Sequence, residues 1–163
     1  HYIWDNMGVN NQWRKVMSTR ACYTFTDSQG DFHVYKHHDG YPYNGGVYNG
    51  ERFEGGGLVW IENAKPFAWD LPRFEADDFA ASFIMANNDG GGGCRLINKA
   101  HPWEEHTDSA YWYKVKIAVP ALDVWVDVYS VDWWDDSNRQ EKLIMSGGLS
   151  EVLATERHRV KVA

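Results

Sequence analysis

Strict alternation of apolar and polar side chains opens the readable part of this chain. Across residues 20–26, Cys22, Thr24 and Thr26 alternate with Tyr23 and Phe25. After the turn-forming cluster Asp27-Ser28-Gln29-Gly30, residues 31–36 continue the pattern, so the spacing predicts two hairpin strands. From 39 to 57 the pattern dissolves. Asp-Gly, Tyr-Pro, Asn-Gly-Gly, Asn-Gly and Gly-Gly-Gly crowd together and predict one long loop. Leu58-Val59-Trp60-Ile61 follows as a short apolar segment. Residues 75–87 change period: Ala76, Phe79, Ala80, Phe83, Ile84 and Asn87 recur every three or four positions and predict a helix with one apolar stripe. Glu75, Asp77 and Asp78 suit its positive N-terminal dipole, and Asn88-Asp89-Gly90 stops it. The run Gly90 to Gly93 lacks the Gly-Lys-Ser/Thr of a phosphate loop and leads into a strand-like Cys94-Arg95-Leu96-Ile97.

Alternation returns over 110–118 and 123–131, a hairpin around Pro120. Val124, Val126 and Val128 share one face of the second strand, and Trp125, Asp127 and Tyr129 the other. Asp132 to Arg139 reads as polar loop, Lys142 to Met145 as a further strand, and Leu149 to Leu153 as a short helix behind Gly147-Gly148. Strand pairs, one principal helix and then a meander predict an α+β fold, with that helix packed on one face of a mainly antiparallel sheet. Residues 1–16 are expected to be an N-terminal extension, with Met17 the start of a single domain over 17–163.

Composition narrows the function classes. The chain has 163 residues, with nine Trp, nine Tyr and seven Phe, enough large side chains to build a core despite 15 Gly. A formal net charge of −7 and the lack of a basic run argue against nucleic acid as partner. The basic end Arg157-His158-Arg159-Val160-Lys161 is short and reads as a solvated tail. No apolar run reaches membrane-spanning length, and no signal peptide is recognisable, so the expectation is a cytoplasmic protein with no membrane partner. Cys22 and Cys94 are too few for a disulfide framework and are expected as free buried thiols.

Candidate chemistry concentrates in Lys36-His37-His38-Asp39-Gly40-Tyr41-Pro42, which gathers two imidazoles, a carboxylate and a phenol around an Asp-Gly turn. A purely structural account is available: Asp39 bonds its own turn, Gly40 supplies a positive φ, and Pro42 holds Tyr41 extended. It does not explain the two adjacent histidines. His37 and Asp39 recur in spacing as His106 and Asp108, so one pair from each segment could build a mixed N/O site. His33 and His37 are about 13 Å apart on a strand, too far for one ion, and no zinc-type spacing occurs, so neither metal nor cofactor is expected. Arg20, at a strand start, could hold a carboxylate or phosphate or pair with an Asp. Ser18 as an N-terminal nucleophile would need a free α-amine, which the sixteen residues before Met17 deny it. Trp133 and Trp134, adjacent in a turn, cannot easily both be buried and form a candidate contact patch.

Residues 17–25 (Met-Ser-Thr-Arg-Ala-Cys-Tyr-Thr-Phe) and 35–42 (Tyr-Lys-His-His-Asp-Gly-Tyr-Pro) together resemble a family of small uncharacterised bacterial and phage proteins. Members open with Ser-Thr-Arg and carry a His-Asp-Gly-Tyr-Pro loop soon after. Residues 83–87 and 106–113 resemble it too, so the likeness runs over most of 17–150. It implies membership and no particular activity. The sequence expectation is therefore a domain that binds a protein partner or a small polar ligand, using Arg20, His37, His38, Asp39, Tyr41, His106 and Asp108. The alternative is a hydrolase-like enzyme built on the same groups.

Overall fold

The computed structural model describes residues 19–90, 93–102, 108–119, 122–131 and 140–162. Residues 1–16, Met17, Ser18, His106, Pro120, Trp133 and Trp134 lie outside the described residues. The α+β class holds. In chain order the elements are β1 (Arg20–Asp27), β2 (Gly30–Lys36), β3 (Asn44–Tyr48), β4 (Glu51–Gly55), α1 (Gly57–Ala64), α2 (Ala76–Asn87), β5 (Cys94–Ile97), β6 (Ser109–Ala118), β7 (Asp123–Val131), β8 (Glu141–Gly148) and α3 (Leu149–Val162). Two 3-10 turns, Lys65–Phe67 and Leu71–Arg73, link α1 to α2.

Six strands form one sheet in the order β5-β2-β1-β6-β7-β8. Every pairing is antiparallel except the central one, where β1 and β6 run parallel. Alternation decides the two faces. Ala21, Tyr23 and Phe25 of β1, Tyr113 and Val115 of β6, and Val124, Val126 and Val128 of β7 all face one core. The helices cover that face: Leu58 and Ile61 of α1, Phe79 and Phe83 of α2, and Leu149 and Leu153 of α3 join the same cluster. The α2 stripe read from periodicity is the packed one, with Ile84 at its margin and Met85 outward. Phe83 lies 4.4 Å from Tyr23 and 5.5 Å from Phe25, centroid to centroid. Full burial of such a ring stabilises by about 1.5–3 kcal/mol. The opposite strand positions, Cys22, Tyr35, Ile97, Trp112 and Val131, form a second, smaller cluster. Both thiols are free and buried.

Two expectations fail, and a third segment takes a form that its pattern left open. Residues 44–55, expected as loop, form the separate β3–β4 hairpin. Asn49 at φ 52° and Gly50 at φ 79° provide the two left-handed residues that a two-residue hairpin turn needs. The flanking glycines Gly45 and Gly46 hid the strand, because they carry no side chain to alternate. Leu58 to Ile61 belongs to a helix with Gly57, Leu58, Val59, Ile61 and Ala64 buried. The basic end is no loose tail: it is the last turns of α3, where Arg157 bonds Glu54 of β4 at 2.6 Å and Glu62 of α1 at 2.7 Å. That guanidinium ties hairpin, α1 and α3 together.

Candidate functional site

The central parallel pairing sets up the site. Because β1 and β6 run the same way, both begin at one edge of the sheet, and Arg20 stands opposite Ser109 with a register irregularity just after it. β2 runs antiparallel to β1, so it ends at that same edge. The loop leaving β2 is therefore delivered to the residues that open β1 and β6.

Glycine lets the loop close in. The Gly40 amide donates to the Thr19 carbonyl at 3.0 Å. A Cβ on Gly40 would lie 2.7 Å from the Ala21 Cβ and 2.9 Å from the Arg20 carbonyl carbon. Gly40 is thus required by close approach, and the positive φ expected of it belongs to Asp39, at 56°. The Tyr113 hydroxyl, fully buried, donates to the Gly40 carbonyl at 2.6 Å. Gly57 leaves room for that same phenol, since its Cβ would fall 2.2 Å from the Tyr113 ring.

Arg20, His37 and Asp108 meet at this edge. Arg20 Nη1 lies 3.1 Å from Asp108 Oδ2, and Arg20 Nε donates to His37 Nδ1 at 3.3 Å. The Tyr35 hydroxyl shares His37 Nδ1 at 2.7 Å. Arginine can only donate, so Nδ1 must present its lone pair, and a neutral His37 then carries its proton on Nε2. Burial lowers the His37 pKa, and the Arg20 cation and His38 lower it further. Burial pushes the Tyr35 phenol up to about 12, so it stays a donor at neutral pH. His38, exposed, stands edge-on to His37 with ring centroids 4.5 Å apart. Beneath them Cys22 Sγ and Ser109 Oγ lie 3.1 Å apart in the buried interior.

Asp39 and Tyr41 enter a different network. The Tyr41 hydroxyl donates to Asp39 Oδ1 at 3.2 Å, and the Trp60 indole donates to the Asp39 carbonyl at 2.9 Å. Burial raises the Asp39 pKa against the opposing pull of the Tyr41 bond and Lys36. The hydrogen bonds of His37 and of Asp39 thus run to different partners. Among the described residues, no three His, Cys, Asp or Glu side chains cluster in a way that could hold a metal ion. No described helix is long and apolar enough to cross a membrane.

Two features were missed in the sequence. Tyr35 is the link between His37 and Arg20, and its position two residues before His37 on the same strand face was the available signal. The second feature is a cleft of about 950 Å³ at the sheet edge, where β5 stops at Ile97 and β2 continues. Asp31, His33, Asp77, Ile84, Leu96 and Lys99 are among its lining residues. His33 Nδ1 lies 2.8 Å from Thr24 Oγ1, which also accepts the Trp112 indole N–H at 2.7 Å. Burial lowers the His33 pKa as well. No sequence signal brings residues 31, 77 and 99 together; only the strand order does. Comparison with protein-family models, with curated proteins and with solved structures found no match.

Proposed function

We propose that this domain binds a small polar ligand through the cluster of Arg20, Tyr35, His37, His38 and Asp108. The observation that supports this most is the double occupation of His37 Nδ1 by the Arg20 and Tyr35 donors. It leaves the imidazole as a fixed neutral donor through Nε2, next to the Arg20 guanidinium, which also contacts Asp108. Donors of this kind recognise an acceptor-rich group such as a carboxylate or phosphate. The arrangement is poorly suited to hydrolysis. A general base needs an available lone pair, and here the Nδ1 pair is engaged while Nε2 carries the proton.

Imidazole resonances followed during titration with inorganic phosphate and with succinate test the proposal. We expect a saturable shift of the His37 signals with one of the two at millimolar concentration, lost in Arg20→Gln. Unmoved His37 signals with both probes would refute it. Burst release of product from an activated ester, dependent on His37, would favour the hydrolase instead.

A further inference from the structure

The sheet has a gap at the start of β2, the far end of that strand from the Arg20–His37 cluster. β1 pairs with β2 along its whole length, back to Gly30. β5 pairs only from Lys36 back to His33, and ends there at Ile97. Gly30, Asp31 and Phe32 therefore have a strand on one side and the cleft of about 950 Å³ on the other. A strand turns alternate backbone groups toward its two neighbours. The His37 amide donates to the Gly93 carbonyl at 2.9 Å, so the odd-numbered residues of β2 point their backbone to the β5 side. In that period Tyr35 meets Arg95 and His33 meets Ile97. Asp31, two residues further and exposed, aims its amide and carbonyl into the cleft. An open edge of this kind is a template for another strand.

The cleft walls say which strand fits. On the helix side they are apolar: Phe32 and Ile84 pack against the main core, and Ala80 and Ala81 keep that wall of α2 low. On the opposite side of the sheet stands the Asp31 carboxylate, next to His33, whose ring is engaged by Thr24. Asp77 adds a second exposed carboxylate. The Ala76 amide donates to Asp27 Oδ2 at 2.7 Å, which seats the first turn of α2 beside the β1–β2 turn and so brings Asp77 to the Asp31 end. The register of β5, continued past Ile97, would set Lys99 opposite Asp31. The chain leaves that line after Ile97, so β5 does not supply the cation its own register calls for. Opposite charges facing one another across an antiparallel pair stabilise it. We propose that the cleft receives an extended segment of a partner protein, alternately apolar and basic, laid antiparallel to β2 in the line of β5. The residue opposite Asp31 exchanges both backbone hydrogen bonds with it and brings its cation to the Asp31 carboxylate. The residue opposite Phe32 puts an apolar side chain against Phe32, Ala80 and Ile84. Backbone pairing supplies the affinity, and the alternate side chains supply the choice of partner. A net charge of −7 favours the approach of a basic segment.

Backbone amide spectra and amide exchange of the full chain test it, with a short capped peptide of alternating valine and arginine as the probe. In the free chain we expect fast exchange at the Asp31 amide and slow exchange at His33 and Tyr35. The peptide should shift the Asp31 amide saturably and slow its exchange. Asp31→Lys should weaken binding about tenfold, because an attractive cross-strand pair becomes a repulsive one. Ala81→Arg, at an exposed helix position, should block the cleft and leave the domain folded. Methylating the arginine backbone nitrogens, which face β2, should abolish binding, and methylating the valine nitrogens, which face away, should not. Binding that survives arginine N-methylation, equal binding of a valine–glutamate peptide, or an unmoved Asp31 amide would overturn the proposal. So would slow exchange at Asp31 in the free chain, since this chain or a second copy would then already fill the edge.

Discussion

Gly40→Ala offers the sharpest test of how the loop leaving β2 is seated. The added methyl would meet the Ala21 Cβ at 2.7 Å, the Arg20 carbonyl carbon at 2.9 Å and the Ala21 amide nitrogen at 3.0 Å. Two of these are backbone atoms of the central strand, which cannot rotate away. The loop must instead lift, and two bonds stretch with it: Gly40 to Thr19, and Tyr113 to the Gly40 carbonyl. Overpacking of this kind costs about 1–3 kcal/mol. An orphaned buried phenol adds about 1–3 kcal/mol, so the expected loss centres near 3–4 kcal/mol. In urea, where a small domain has a slope of about 1–3 kcal/mol per molar, the midpoint should fall by at least roughly 1 M with the slope unchanged. Because the nearest atom is a side-chain methyl, Ala21→Gly should recover part of the loss in a double-mutant cycle. A loss for Gly40→Ala below about 0.5 kcal/mol, or strict additivity with Ala21→Gly, would refute the tight seating of the loop on β1.

Phe83→Ala removes a fully buried ring packed at a tilt against Tyr23 and Phe25 and should cost about 3–5 kcal/mol by thermal or urea unfolding. His33 and His37 both have folded pKa values below the ordinary 6.5, so the unfolded chain binds more protons as pH falls past that value. Stability contributed by keeping them neutral is therefore complete above pH 6.5 and declines below it, and His37→Gln should flatten this acid-side slope in unfolding measured from pH 7 to 5. Arg157→Ala frees the β3–β4 hairpin from α3. The pair is partly solvated, so the global cost should stay near 1 kcal/mol, while amide exchange at Val47 and Arg52 accelerates and Arg157→Lys fails to restore protection.

What the sequence disclosed follows what carries side-chain period. β1, β2, β6, β7 and α2 were legible because Tyr23, Phe25, the three valines and the Phe79/Phe83 stripe each repeat at the period of their element. The β3–β4 hairpin was not, since Gly45 and Gly46 erase alternation and leave only Asn49-Gly50 as a signal. At the candidate site, residue types pointed to Arg20, His37 and Asp108 before any strand order was known. Separating Asp39 from His37 required the backbone itself, because one left-handed residue sends the two side chains to different partners. The cleft beside His33 depends on where β5 stops, a property of pairing that no local pattern records.

The parallel seam between β1 and β6 has a consequence for how binding energy would spread. Along the chain, β1, β2 and β5 form one local block and β6, β7 and β8 another, and in the sheet only the seam joins them. Arg20 belongs to the first block, and Asp108 directly precedes the second. A ligand held between them reports on the junction of two cooperative units and not on either alone. Its binding free energy would be subtracted from every opening that parts the blocks and from none that frays a single edge. Native-state amide exchange with ligand present would then slow at Tyr23 and Tyr113 together, while β5 and β8 at the outer edges exchange at their former rates.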